Sequence, residues 1–305
     1  MWALVWVYVL RMIVMMCYAF SIKFPVIIIK KVSGVRAILK YSSLIIIAGS
    51  VASIFLDIDK VMLGSYIAIE DIAYYNVAIF ISAVIAVPQR AMHQILMPLT
   101  AKYLNEKDFT SLDDLYKRSS LNLFIVGGLI FLLIVLNINE LYHIIPKPFS
   151  SGLFIVFMIS IAKLYDALLG SNNAIIFNSD YYRIILILGV VLVILMVVLN
   201  IIFIPLYGMY GAGLATFIAI LSYNTIKLFF VKKWFKILPF TAKTFKIAGF
   251  IFFNVLLFYF WDFQFHPVIN MGLKSLLITA VYVVCVYRFN FSEDITALVN
   301  TLLRR

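Results

Sequence analysis

The sequence is short of charged residues, which make up only 13% of its 305 residues. Soluble domains are about 25% charged and about 45–50% apolar, whereas 65% of this chain is apolar. The deficit of charge therefore excludes a water-soluble globular fold. Cysteine is also scarce. The two present, Cys17 and Cys285, lie inside apolar runs, which is typical of small core residues and not of a disulfide or a metal pair.

Acidic residues are scarcer than basic ones, 14 against 25, and the net charge is +11. In a soluble protein such an excess suggests a nucleic acid partner, but in a membrane protein it first indicates which connections face the cytoplasm. We therefore expect no nucleic acid partner. A Gly-rich nucleotide loop, Cys/His metal spacing and a Ser/His/Asp arrangement are all missing from the sequence. We expect no catalytic residue, no metal and no cofactor, and thus no enzyme.

Long apolar runs are what the sequence has in abundance. Because a helix needs about 20 apolar residues to cross a bilayer, the runs predict an all-α polytopic membrane protein with about nine transmembrane helices. The predicted spans are residues 1–22, 42–64, 72–97, 118–137, 150–176, 184–204, 210–230, 245–262 and 268–287.

Basic residues concentrate in every second connection between these runs. The connections 65–71, 138–149, 205–209 and 263–267 contain a single lysine, Lys147. By the positive-inside rule the basic connections and the C-terminus are cytoplasmic. Counting back through nine spans places the N-terminus of this chain on the outer side. We therefore expect that an odd number of helices precedes residue 1 and that the chain is the C-terminal part of a larger transporter.

The segment from Asn200 to Thr216, NIIFIPLYGMYGAGLAT, contains three features in succession. Asn200 can hydrogen-bond its neighbours, Pro205 to Gly208 predicts a tight outer turn, and the small residues after it permit close helix approach. The segment resembles a signature of the polysaccharide flippases, a family of the multidrug/oligosaccharidyl-lipid/polysaccharide exporter superfamily. The resemblance covers about residues 40–230 and includes the segments 62–64, 73–78, 98–117 and 178–183.

Flippases of this family have two lobes of six helices around a central cavity, and the resemblance implies a corresponding domain plan. Residues 1–22 would be the last helix of the N-lobe and residues 23–40 a cytoplasmic interfacial linker. Residues 41–231 would form a six-helix C-lobe, and residues 232–305 a cytoplasmic loop with an extra C-terminal helix pair and tail. The first five helices of the N-lobe would then be missing from this chain.

The function implied by the resemblance is flipping of a polyprenyl-diphosphate-linked oligosaccharide across the bacterial inner (plasma) membrane by alternating access. The product would serve O-antigen, capsule or exopolysaccharide synthesis. The implied partners are the lipid-linked oligosaccharide and membrane lipids, with a glycan polymerase and glycosyltransferases as candidate neighbours. Two alternatives stay open: a cation-coupled multidrug antiporter of the same superfamily, and an inactive truncated remnant.

Charged residues at membrane depth are few and costly, which makes them the candidate site. Arg11 lies halfway along the first span and would face the cavity if that helix occupies its family position. Arg90 shares one face of the third span with Gln89 and His93. Its guanidinium either reaches the inner surface or holds a diphosphate.

The fifth span carries the strongest candidates. Lys163, Asp166, Gly170 and Asn173 follow positions i, i+3, i+7 and i+10, which predicts one polar stripe down a helix face. We expect Lys163 and Asn173 to contact an anionic head group and Asp166 to tune Lys163 or respond to a coupling ion. Alternatively, Lys163 and Asp166 form a charge-neutral structural pair.

Other polar residues are predicted near the helix ends. Asp57 is either a coupling carboxylate in the cavity wall or simply the i, i+3 ion partner of Lys60. Lys274 and Asp262 are expected to reach the outer interface. Residues 111–114 have the form of a capping box, which predicts a short amphipathic segment along the inner membrane surface.

Overall fold

The structure, a computed structural model, describes residues 2–22, 35–36, 39, 43, 57–261, 263 and 265–303. It divides into two compact units, Met1–Ile47 and Ala48–Arg305, which are treated separately below. Most of the predicted linker 23–40 and most of the predicted second span lie outside the described residues, as does Asp262.

Helix α1, Trp2–Ile22, belongs to the first unit. Its 21 residues correspond to about 31 Å at the helical rise of about 1.5 Å per residue, enough to cross the hydrocarbon core of a bilayer. Trp6, Met15 and Ile22 are among its many exposed apolar side chains, as expected of a helix solvated by lipid. Arg11, near its middle, is also exposed.

Helices joined by turns and short loops make up the described residues of the second unit. Its first described helical segment is residues 57–63, which we label α2. The helices that follow are α3 Ile69–Ala83, α4 Val87–Asn105, α5 Phe109–Ile144, α6 Leu153–Leu168, α7 Asn172–Asn178, α8 Arg183–Phe235, α9 Ala242–Tyr259, α10 Pro267–Arg288 and α11 Glu293–Leu303. Short 3-10 turns at Val84–Ala86 and Lys147–Gly152 join α3 to α4 and precede α6.

Seven helical stretches in the described part of the chain are long and apolar enough to cross a membrane. They begin with α1, and the second of them runs from Ile69 to Asn105 through α3 and α4. The described residues contain no strand. The chain is thus an all-α polytopic membrane protein, as the apolar runs predicted.

Helix α8 is a hairpin of two antiparallel helices and not one rod. Gly208 has φ 55° and ψ −131°, a backbone conformation that glycine adopts without steric cost. A Cβ at Gly211 would lie 2.0 Å from the carbonyl oxygen of Phe203. Met196 and Ala219 share one buried cluster, although a straight helix would hold them about 35 Å apart. The halves, α8a (183–207) and α8b (209–235), correspond to the predicted sixth and seventh spans.

The predicted fifth span, 150–176, is interrupted, so the prediction of one continuous helix was wrong. Helix α6 ends at Leu168, Gly170 has φ 54°, and α7 begins at Asn172. A Cβ at Gly170 would lie 2.6 Å from the backbone nitrogen of Ser120. The Ser120 hydroxyl donates a hydrogen bond to the Leu168 carbonyl at 2.5 Å. Close contact with α5 therefore accompanies the break, and the predicted polar stripe changes direction there.

Helix α5 also differs from its prediction, because it begins nine residues before the predicted span. Asp108 caps it by accepting a hydrogen bond from the backbone N–H of Ser111 at 3.0 Å. Leu112 and Tyr116 are fully buried against α7 and α8b in one apolar cluster. Residues 111–117 are therefore the first turns of α5 and not a separate segment along the membrane surface.

The largest apolar core joins α5 to α9 and α10. Leu132, Ile247 and Ile278 are fully buried in it. Without a hydrophobic force between helices in lipid, such contacts depend on close packing and interhelical hydrogen bonds. Both are present: a Cβ at Gly128 would lie 2.4 Å from the Ile251 side chain, and the Tyr282 hydroxyl donates to the Ile125 carbonyl at 2.9 Å.

Candidate functional site

A cavity of about 290 Å³ lies among α4, α7 and the two halves of α8. It is lined by His93, Met97, Asn173, Phe177, Ile185 and Tyr223. Three of these residues can form hydrogen bonds and the other three are apolar. Ligand pockets commonly combine an apolar lining with a few polar groups that orient the ligand. This cavity is the candidate functional site.

Hydrogen bonds to α4 hold α7 at the cavity wall. The Asn178 side-chain amide donates to the Met97 carbonyl at 2.9 Å and to the Thr100 hydroxyl at 2.7 Å. The next residue of α4, Pro98, has no N–H and therefore weakens the local helical ladder. The short helix α7 is thus held against α4, with Asn173 and Phe177 lining the cavity.

Lys227 lies directly behind the cavity wall. It is 2% exposed, and its Nζ donates to the Asn173 side-chain oxygen at 2.7 Å. The same Nζ lies 4.1 Å from the centroid of the Tyr223 ring, within the range of a cation–π interaction. Asn173 and Tyr223 therefore contact both Lys227 and the cavity.

Helix α6 contributes a negative charge that acts on Lys227 and Tyr223. Asp166 is half-buried, and its charge acts on both Tyr223 and Lys227. Its backbone carbonyl accepts a hydrogen bond from the Gln89 side chain of α4 at 3.4 Å. One residue earlier, the Tyr165 hydroxyl lies 3.0 Å from the Thr225 hydroxyl. The end of α6 is thereby connected to both α4 and α8b.

The structure brings together some of the predicted site residues and separates others. Asn173 lines the cavity and contacts Lys227, and the charge of Asp166 acts on Lys227. Arg90 is exposed on α4, and Lys163 is half-buried on α6. In the part of the chain that the structure describes, no ion pair joins Lys163 to Asp166. The roles predicted for Lys163 and Asp166, including that of a charge-neutral pair, stay predictions. Arg11 belongs to the separate first unit, so its predicted role stays a prediction.

Asp57 forms the i, i+3 ion pair that was one of its two interpretations. Its carboxylate lies 2.6 Å from the Lys60 Nζ, and the Asp57 side chain is 63% exposed. Its neighbour Asp59 is the buried carboxylate of α2, at 4% exposure. Asp59 accepts hydrogen bonds from the Tyr75 hydroxyl and from the backbone N–H of Lys60, the latter at 2.8 Å. The structure thus places the buried charge two residues beyond the residue chosen from sequence.

Lys274 was expected to reach the outer interface, and that expectation was wrong. Lys274 is 3% exposed, and its Nζ lies 3.7 Å from the buried Glu140 carboxylate of α5. The Asn270 amide donates to the same carboxylate at 3.0 Å. Packing of α10 along α5 covers the pair, a contact between distant parts of the chain that span prediction does not provide.

Asn200 also differs from expectation. It is fully buried, and neither atom of its side-chain amide has a hydrogen-bond partner among the described residues. The predicted hydrogen bonds to its neighbours do not form in this structure.

Lys227 was not chosen from sequence, because its place near the end of the predicted seventh span suggests one of the basic residues beside the following loop. Its immediate neighbours argue otherwise, since Ile226 precedes it and the apolar residues 228–231 follow it. Tyr223, four residues earlier, lies on the same helix face. A lysine inside an apolar run with an aromatic residue at i−4 is the signal that could have identified it.

Among the described residues, no group of three or more His, Cys, Asp or Glu side chains is arranged to hold a metal ion. The polar groups that line the cavity are those of His93, Asn173 and Tyr223, and Lys227 lies directly behind Asn173 and Tyr223. A buried ammonium beside amide and hydroxyl groups is suited to an anion that also carries hydroxyl groups.

Comparison with known proteins gives a match to a protein family. No curated protein and no solved structure matches the chain. A family model described as "Polysaccharide biosynthesis protein" matches residues 1–137, just under half of the chain. The match includes the segments 62–64, 73–78 and 98–117 that resemble the flippases, whereas the segment 200–216 and most of the cavity lie beyond it. Over residues 1–137, this membrane protein is thus similar to polysaccharide biosynthesis proteins.

Proposed function

We propose that the chain moves a polyprenyl-diphosphate-linked oligosaccharide from the inner to the outer leaflet of the bacterial inner membrane by alternating access. The observation that carries the proposal is the cavity inside an apolar helical protein, with Lys227 buried behind Asn173 and Tyr223. The match of residues 1–137 to polysaccharide biosynthesis proteins supports the same substrate class. The activity is transport and not a chemical reaction.

The physical problem of such transport is the head group. A diphosphate and its sugars are strongly hydrated, and burying a charge without a partner costs far more than burying a neutral polar group. A cation lowers that cost for the diphosphate, and amide and hydroxyl groups do so for the sugars. The polyprenyl tail needs no polar partners, because it stays in the hydrocarbon of the bilayer.

The orientation predicted from the basic connections supports loading from the cytoplasm. Two of the basic segments that are predicted to be cytoplasmic, 98–118 and 177–183, adjoin residues of the cavity in the sequence. Met97 directly precedes the first of them, and Phe177 and Ile185 flank the second. In this orientation the cavity lies toward the leaflet where lipid-linked glycans are assembled. Glycosyltransferases and a glycan polymerase are then the proposed neighbours, and O-antigen, capsule or exopolysaccharide is the product.

A multidrug antiporter is the less favoured proposal. Such a transporter takes up cationic drugs, and the fully buried charge at this cavity wall is the positive Lys227. Like charges repel strongly at low dielectric. The charge at the site therefore favours an anionic substrate.

The test is transport by the purified chain in liposomes. The substrate is a polyprenyl-diphosphate oligosaccharide that carries a fluorophore on its sugar, with a membrane-impermeant quencher added outside. We expect the quencher to reach fluorophores from both leaflets when the protein is present and from one leaflet in protein-free liposomes.

A matched pair of variants then connects transport to the cavity. Asn173→Leu removes the amide from the cavity wall and is expected to slow transport at least about tenfold. Asn139→Leu makes the same change at an exposed position of α5 and is expected to leave the rate unchanged. Equal quenching with and without protein would refute the proposed function.

A further inference from the structure

The partners of Lys227 are weak for a charge buried in a membrane protein. An ammonium group has three N–H donors, and the structure supplies one amide oxygen and one aromatic ring face. In the described residues no carboxylate forms an ion pair with Lys227. Asp166 acts on it only at longer range. Buried charges are normally paired, so Lys227 has capacity for an anionic partner.

Both groups that hold Lys227 also line the cavity. Asn173 presents its side-chain oxygen to the Lys227 Nζ at 2.7 Å, and Tyr223 presents its ring at 4.1 Å. A rotation of the Asn173 side chain would therefore open the ammonium to the cavity without a change in the backbone. Rotamer changes of this kind are among the commonest rearrangements on ligand binding.

We propose that Lys227 is the residue that binds the phosphate of a ligand in this cavity, and that Asn173 is its resting partner. On binding, a phosphate oxygen replaces the neutral Asn173 oxygen as the acceptor of the Lys227 Nζ. The Lys227 donor is charged in both hydrogen bonds, but a phosphate acceptor adds the opposite charge, and opposite charges attract strongly at low dielectric, so the exchange favours the anion. The released Asn173 amide is then free to contact the ligand. The inference rests on the proposed function, because it names the contact that recognises the substrate's diphosphate.

The same reasoning separates Lys227 from the cations chosen from sequence. Arg90 is exposed on α4, and Lys163 is only half-buried. Neither Arg90 nor Lys163 lines the cavity. Lys227 is 2% exposed, so water does not screen its interaction with an anion, and both groups that hold it line the cavity. Lys227 is therefore better placed than Arg90 or Lys163 to bind a phosphate there.

Binding of a short prenyl diphosphate to the purified full chain in detergent tests the inference. The probe is farnesyl diphosphate, and farnesol is the same chain without phosphate. We expect the wild-type chain to bind the diphosphate at least about tenfold more tightly than the alcohol, as one charge-assisted hydrogen bond predicts. Lys227→Gln is expected to abolish that difference. Lys232→Gln, an exposed lysine five residues further along α8b, is expected to leave it unchanged.

A second variant keeps the test valid if Lys227→Gln does not fold. In Asn173→Asp the new side chain has almost the same shape as asparagine and places a carboxylate in contact with the Lys227 ammonium. Lys227 then keeps its charge and has a permanent ion-pair partner. Because this carboxylate competes with the phosphate, binding of farnesyl diphosphate is expected to weaken at least about tenfold. Folding of the variant is checked from its helical circular dichroism.

Two results would overturn the inference. One is unchanged binding of farnesyl diphosphate in both Lys227→Gln and Asn173→Asp, and the other is loss of binding in Lys163→Gln with Lys227→Gln unaffected. The test can also fail separately from the proposed function. If Lys227 binds the diphosphate but the chain does not move the glycan in liposomes, only the transport proposal fails. If transport proceeds equally in Lys227→Gln, only the assignment of Lys227 fails.

Discussion

Two lysines of the second unit are almost equally buried, Lys227 at 2% and Lys274 at 3% exposure, but they have different surroundings. Lys274 lies 3.7 Å from a buried carboxylate, Glu140, between helices α5 and α10. Lys227 has a neutral amide and a ring as partners and lies beside a cavity. The difference shows that burial alone does not mark a functional charge. A neutralised pair between packed helices holds them together, whereas a charge with neutral partners beside a cavity can bind a ligand.

The largest expected effect comes from breaking the pair between α5 and α10. Lys274→Met leaves Glu140 as an uncompensated buried charge, and such changes cost about 3–5 kcal/mol of stability. Removing both charges, in Glu140→Gln with Lys274→Met, is expected to restore most of that loss. Thermal unfolding of the purified protein in detergent measures both variants. If Lys274→Met were as stable as the wild type, the pair would not hold the helices together and the contrast with Lys227 would disappear.

A second prediction concerns the break that positions α7 at the cavity. Gly170→Ala places a Cβ at φ 54° and 2.6 Å from the Ser120 backbone nitrogen, which we expect to cost roughly 1–3 kcal/mol. Because the change lies three residues from Asn173, it is also expected to weaken binding of farnesyl diphosphate. Gly249→Ala is the control, since a Cβ there meets no atom within 4 Å and favours the helix slightly. Equal unfolding temperatures for the two variants would show that the break is not held by α5.

The smallest predicted effect lies outside the membrane-spanning segments, at the cap of α5. The hydrogen bonds that Asp108 accepts from Ser111 lower the pKa of its carboxyl. Because the pKa of Asp108 is lower in the folded than in the unfolded protein, its carboxylate stabilises the fold at pH values above the unfolded pKa of about 3.9. This contribution is lost as the pH falls through the folded pKa. The unfolding temperatures of wild type and Asp108→Ala are therefore expected to differ at neutral pH and to converge in acid. A difference that grows in acid would contradict the assignment.

The spans and the hairpin at Gly208 could be predicted from sequence because they depend on local properties. Apolar run length decides which segments enter lipid, and Pro205 with Gly208 predicts a turn within a few residues. The break at Gly170 could not be predicted in this way. Its close contact is with Ser120, fifty residues earlier on another helix. The residues next to Gly170 in the sequence do not indicate that contact.

The candidate site was predicted only in part, for a similar reason. Asn173 was chosen from its position on a helix face, and it does line the cavity. Asp57 and Asp59 differ by only two residues, but the first lies in an exposed ion pair and the second accepts a hydrogen bond from Tyr75 of another helix. Spacing along one helix shows which residues share a face. It does not show which face the neighbouring helices cover.

By itself, the sequence determined that this protein lies in a membrane and which residues form its helices, approximately. Scarce charge and long apolar runs leave the bilayer as the favourable environment, whatever the packing. Only the tertiary structure decided which charges are neutralised and which face a cavity. The electrostatic energy of a charge depends on the atoms within a few ångströms, and for Lys227 and Lys274 those atoms include Asn173 and Glu140, which belong to distant helices of the chain. The scarcity of charge thus identified a membrane protein, and the packing of its helices identified Lys227.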